Sequence, residues 1–216
     1  MQKNRKVLRI GITMGDFNGV GPELIINGFK ESRLREMCTP IIYGSAVVLN
    51  AYRKQLSVDK FSYNVIEEPK QAMPKKISVV DCMTNTENIE PGKPSKDAGK
   101  AAVQALQRAV QDLKDGEIDA LVTMPIDKHS IQGDEFNFPG HTEYLAREFG
   151  GESLMFMVHD FIKVAVVTGH IPHKDVSKAI TTEAIMKKLR VMNQSLKADF
   201  NCEKPKIAVL GLNPHA

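Results

Sequence analysis

The sequence predicts an α/β fold built on a largely parallel sheet, and three observations carry that prediction. Short β-branched runs recur along the 216 residues, they alternate with stretches of helical periodicity, and glycine- and proline-rich loops join them. Two of the runs also share an ending. Ile162 to Val167 leads through Thr168-Gly169 to His170, and Ile207 to Leu210 leads through Gly211-Leu212-Asn213-Pro214 to His215. With a helical stretch between them, these two read as neighbouring parallel strands. In open α/β sheets, ligands gather at the carboxyl ends of strands, so two imidazoles delivered there are candidate partners for one metal ion.

In chain order, Val7 to Thr13 is a β run that enters Met14-Gly15-Asp16-Phe17-Asn18-Gly19-Val20-Gly21-Pro22-Glu23. Pro22 suits the first turn of a helix and Glu23 suits its dipole, so a helix continues through Leu24, Ile25, Ile26 and Phe29. A strand over Pro40 to Tyr43 precedes a helix around Ala46 to Gln55. Tyr63 to Ile66 and Ile77 to Asp81 are short strand candidates among prolines and lysines. From Lys96 to Lys114 the periodicity is clearest, because Ala98, Ala102, Leu106, Ala109 and Leu113 draw one apolar stripe. Ser95 is its expected N-cap and Asp115-Gly116 its stop. Ile118 to Thr123 forms the next strand and ends in Met124-Pro125-Ile126-Asp127-Lys128. Gly140-His141-Thr142-Glu143 opens a short helix through Tyr144, Leu145 and Phe149. Leu154 to Val158 and Ile162 to Val167 read as strands joined by a tight His159-Asp160 turn, the antiparallel exception. Thr182 to Phe200 is the last long helix.

Composition narrows the function classes. Hydrophobic residues make up 42% and charged residues 25%, the balance of an ordinary globular protein. No apolar stretch reaches the roughly 20 residues that span a bilayer, and the basic start, Met1 to Lys6, lacks the apolar core of a signal peptide. Three scattered cysteines, Cys38, Cys82 and Cys202, form no CxxC pair, which points to a reducing cytoplasm. A net charge of +3, interspersed lysines and arginines, and no tryptophan argue against a nucleic-acid surface.

Four groups of residues remain as candidates for chemistry. The glycine loop lacks the third glycine of GxGxxG and has no GK[ST], so it is either a backbone cradle for an anion or a tight turn. Among six histidines, His170 and His215 stand out as strand-ending; His170 and His173 cannot pair helically because Pro172 lies between them. Two imidazoles fall short of the three protein ligands a catalytic zinc needs. His141 and Thr142 at a helix start offer donors to a phosphate or carboxylate, although taken by itself Thr142 reads first as a helix cap. Lys128 is a candidate for an anion contact or proton transfer, or simply a solvated lysine.

Taken in order, Met14 to Glu23, Pro125 to Lys128, Phe138 to Glu143, Thr168 to Pro172 and Gly211 to Ala216 resemble the 4-hydroxythreonine-4-phosphate dehydrogenase family of pyridoxal phosphate biosynthesis. The resemblance implies an isocitrate/isopropylmalate-dehydrogenase-like fold of two α/β/α domains with a cleft. Residues 1–128 would belong to the first domain, and 129–216 to part of a second that binds metal and dimerises. It further implies a homodimer using NAD or NADP and a divalent ion (zinc, magnesium or cobalt). His141 and Thr142 would bind the phosphorylated substrate, and His170 and His215 the metal. A third histidine ligand would come from a later Tyr-His-Asp-Gln-Gly segment across the dimer, beyond this sequence, so the C-terminal part of the family's length is expected to be missing. The implied reaction oxidises 4-phosphooxy-L-threonine to 2-amino-3-oxo-4-phosphooxybutanoate, which decarboxylates to 3-amino-2-oxopropyl phosphate. Alternatives are a related four-carbon substrate (threonate or erythronate 4-phosphate), a phosphate acyltransferase of similar fold, and an inactive fragment.

Overall fold

The computed structural model describes residues 7–133 and 136–215. Packing groups the chain into two compact units, Met1–Glu148 and Phe149–Ala216.

In the first unit the elements are β1 (Arg9–Thr13), α1 (Gly21–Phe29), α2 (Ser32–Met37), β2 (Thr39–Gly44), α3 (Ala46–Gln55), β3 (Asn64–Ile66), β4 (Ser78–Asp81), α4 (Lys96–Lys114), β5 (Ala120–Thr123) and α5 (His141–Phe149). The strands make one parallel sheet in the order β3-β4-β2-β1-β5. Every residue of central β2 is buried, as expected for a strand covered on both faces. Right-handed crossovers fix the helices. The steps from β1 to β2 and from β2 to β3 run one way, and the step from β4 to β5 runs back. So α1 and α3 share one face, where they pack together, and α4 covers the other, against β1, β2 and β5.

Local chemistry explains why α4 sits there. Ser95 Oγ accepts the Ala98 N–H at 3.1 Å, and Gly116, with φ +72°, ends the helix. Ala98, Ala101, Ala105 and Ala109 join Ile12, Ile42 and Val79 in the main core. Tyr43, under α4, donates its hydroxyl to Asp112 at 2.9 Å, and Arg108 holds the same carboxylate at 3.0 Å. Burial first, and Asp112 second, push the Tyr43 phenol far above its ordinary range. Ile131, Phe136 and Tyr144 pack on α4 as well and close a smaller core with Ala102, Leu106 and Val110.

The second unit holds β6 (Phe156–Val158), β7 (Lys163–Ala165), α6 (Val176–Ala179) and α7 (Thr182–Ala198). β6 and β7 form the expected antiparallel hairpin, closed by reciprocal backbone bonds between His159 and Ile162. Two expectations are corrected. Ile207 to Leu210 is not a strand, because it finds no ladder partner among the described residues. β7 is therefore no parallel neighbour of it; β7 ends at Ala165 and pairs with β6 alone. The two runs share instead a trough of about 670 Å³, with Ile185, Leu189 and Met192 of α7 on its wall.

Candidate active site

All five strands of the first unit are parallel, so their carboxyl ends lie along one edge, and the loops after β1 and β5 meet there. The glycine loop follows β1. Gly15 adopts φ +72° and lies so close to the Pro125 carbonyl that a side chain would collide with it; a Cβ at Gly21 would meet the Met14 carbonyl. The Asp16 N–H donates to Pro125 O (3.0 Å), the Asn18 N–H to Asp16 Oδ1 (2.8 Å) and the Gly19 N–H to Asp16 O (3.0 Å). These donors are committed within the protein, which supports the tight-turn reading over the anion cradle.

After β5, Asp127 builds the next turn by accepting the Ser130 N–H at 2.7 Å. Its bonds from Ser130 hold the Asp127 carboxyl below its ordinary value. Lys128 projects from that turn and is exposed, with no carboxylate partner among the described residues. Its Cε lies 3.8 Å from where a Cβ on Gly140 would stand, which brings it beside the start of α5.

His141 is the first residue of α5 and is half-buried. Burial, and secondarily the Lys128 ammonium, hold its imidazole below the ordinary histidine pKa of 6.5. The ring is thus neutral at neutral pH, with one N–H to donate and one lone pair to accept. Thr142 is exposed inside the first turn of α5, not before it, so capping is not its place. The approach to His141 is stiff: Phe136, Phe138 and Tyr144 stack edge to face or tilted at 5.2–5.5 Å, Arg147 lies 4.2 Å over Phe138, and Gln132 donates to Phe138 O at 2.8 Å. Lys128, His141 and Thr142 are therefore brought together, on the edge where the β1 and β5 loops lie.

Sequence reasoning passed over Asp16. Its side chain is 6% exposed, and burial raises its pKa, with the neighbouring Asp127 acting in the same sense against the Asn18 N–H. An aspartate directly after a glycine in the loop that follows β1 was the available signal.

In the second unit, His170 sits in a turn at φ +56° and His215 in another turn; both are exposed. Neither ends a strand. Among the described residues, no three histidine, cysteine, aspartate or glutamate side chains gather as a metal-binding group. Two imidazoles are suitable donors for zinc but do not make a site, so the residues present do not complete the implied metal centre.

Comparison with known proteins finds relatives along the length of the chain. A 4-hydroxythreonine-4-phosphate dehydrogenase of Bacteroides thetaiotaomicron is 45% identical over 218 residues, matching 100% of this chain and 59% of its own length. A putative D-threonate 4-phosphate dehydrogenase of Oceanobacillus iheyensis is 34% identical over 211 residues, matching 96% of this chain and 63% of its own length. The crystal structure of a 4-hydroxythreonine-4-phosphate dehydrogenase from Burkholderia phymatum superposes with a TM-score of 0.85 at 30% identity, covering 98% of this chain and 64% of that one. The chain thus spans about six tenths of the length of the curated relatives it matches. The family model for the pyridoxal phosphate biosynthetic protein PdxA matches residues 36–216, a span that takes in β2 through α7 and the Lys128–His141 edge, and the chain belongs to that family.

Proposed function

We propose that this chain supplies the substrate-anchoring part of an NAD- or NADP-dependent dehydrogenase that oxidises the C3 hydroxyl of 4-phosphooxy-L-threonine. The product is 2-amino-3-oxo-4-phosphooxybutanoate, which loses carbon dioxide to give 3-amino-2-oxopropyl phosphate. The observation that carries the reading is the meeting of Lys128, His141 and Thr142 at the start of α5. A cation, a neutral imidazole, a hydroxyl and the positive end of a helix are what a small phosphorylated acid needs to be held. The nicotinamide supplies the hydride acceptor; no residue of this chain is assigned to holding it. Lys128 serves as the anion contact, and His141 and Thr142 orient the substrate by hydrogen bonds.

His170 and His215 are proposed as two imidazole ligands of a divalent ion in a homodimeric enzyme. Division of the whole protein into domains at 128/129, and residence in the cytoplasm, follow from the same family reading and from the unpaired cysteines.

A second reading, oxidation of D-threonate 4-phosphate, is favoured by the name of the Oceanobacillus relative. Assaying the complete enzyme on both substrates separates the two. Lys128→Met and His141→Asn should each raise KM for the phosphorylated substrate roughly ten- to hundredfold, the loss of one charge-assisted hydrogen bond. Unchanged kinetics in both variants would contradict the assignment.

A further inference from the structure

We propose that Asn18 is the positioning residue that sets where Lys128 stands relative to His141. Asn18 is 4% exposed and lies in the glycine loop, yet its side chain and its backbone carbonyl are spent on the segment before α4. Its Oδ1 accepts the Glu90 N–H at 2.8 Å. Its Nδ2 donates to Lys93 O at 3.0 Å and to Ser95 Oγ at 3.4 Å, and its backbone carbonyl accepts the Gly92 N–H at 2.7 Å. Residues 87–94 are otherwise irregular and, apart from Ile89, exposed. Asn18 is what fastens this strap to the glycine loop.

The fastening closes a ring. From Asn18 the contacts run to Ser95, the N-cap of α4, and along the first turn of α4 to Gly99. Gly99 is pressed against the Ser130 carbonyl so closely that any side chain would displace it. Ser130 is bonded to Asp127, whose neighbour is Lys128. On the other side, Pro125 accepts the Asp16 N–H, and Asp16 Oδ1 accepts the N–H of Asn18 itself. The Lys128 turn is therefore gripped from two directions, by α4 and by the glycine loop, and Asn18 joins the two grips. Fixed dipoles and charges act at full strength only when their supports are rigid, so a residue that ties the supports together tunes the charge they hold.

The consequence for substrate binding rests on the proposed function, but the positional claim does not, and its test is free of substrate. The imidazole of His141 reports on Lys128. Besides Lys128, the titratable groups that the described residues place at the start of α5 are Glu143, whose Oε2 lies 3.7 Å from the position of a Cβ on Gly140, and the buried Tyr144 phenol. The pKa of His141 would be measured by NMR titration in wild type, Lys128→Met, Asn18→Ala and the double variant, with the resonance assigned through His141→Gln. Lys128→Met should raise it, Asn18→Ala should raise it also, and the double variant should rise no further than Lys128→Met alone. Gly99→Ala, which pushes the Ser130 carbonyl from the opposite side, should move it too. If Asn18→Ala lowers the melting temperature but leaves the His141 titration where it is in wild type, the proposal is overturned. Should Asn18→Ala not fold, Asn18→Ser decides in the same way. A His141 that ignores Lys128→Met would overturn the pairing itself, whatever the substrate proves to be.

Discussion

Two long helices of this chain begin alike and end up in very different surroundings. Ser95 Oγ accepts the Ala98 N–H ahead of α4 and Thr181 Oγ1 accepts the Ala184 N–H ahead of α7, both at 3.1 Å. Each carries an acidic residue in its first turn and a lysine in its last. Yet α4 buries ten residues between the sheet and the Tyr144 cluster, and α7 buries Leu196 alone. Leu196 is in fact the one buried residue of 149–215. Phe161, at 94% exposed, and Leu210, at 90%, leave large apolar side chains in water. The difference teaches that capping and periodicity make a helix, while burial depends on whether a broad sheet stands opposite. The first unit has a five-stranded sheet and the second a hairpin of two three-residue strands. Rigidity therefore collects around Lys128 and His141 and not around His170 and His215.

The largest effect expected from this contrast is in core truncation. Ile42→Ala, at a fully buried position of central β2, should cost about 3–5 kcal/mol in denaturant unfolding. Leu196→Ala should fall at or below about 2 kcal/mol, because the wall opposite it is open. Equal costs would erase the distinction. Next comes the buried network: Tyr43→Phe leaves the Asp112 carboxylate short of a donor and should cost about 1–3 kcal/mol by the same measurement. The caps give a closer comparison. Ser95→Ala should lower global stability by about 1 kcal/mol, whereas Thr181→Ala should speed amide exchange in α7 and leave the main unfolding transition unmoved.

The smallest effect is in pH dependence. His141 has its folded pKa lowered below 6.5, so the unfolded chain binds a proton first as pH falls. Stability conferred by the neutral ring is complete above that value and is lost on acidification through it. His141→Gln should flatten the stability profile of the first unit just below pH 6.5, followed by thermal unfolding across that range. An unchanged profile would mean the ring is not held neutral.

Much of the first unit was legible in the sequence because its signals were local. Lys96 to Lys114 is the helix its alanine stripe announced, and Ala46 to Gln55 has the expected ends. The strands were found with ends off by one or two residues, since ladder partners, not propensity, decide where pairing stops. α2 and the 3₁₀ turn at Pro69–Gln71 were missed; both are too short to show a period. At the candidate site, the sequence singles out Lys128, His141 and Thr142 by their loop and helix-start positions, but their neighbourhood was not readable, because it depends on Gly99 and Pro125 contacts between distant segments. Ile207 to Leu210 misled for a physical reason. A β-branched run has strand propensity, yet a strand exists only with a bonded partner, and none is present among the described residues.

Residue-resolved hydrogen exchange of the native chain tests the central contrast most directly. Amides of β1, β2 and β4 should exchange only through global opening, whereas those of β6, β7 and α7 should exchange by local opening, orders of magnitude faster. Equal protection in the two units would contradict the account.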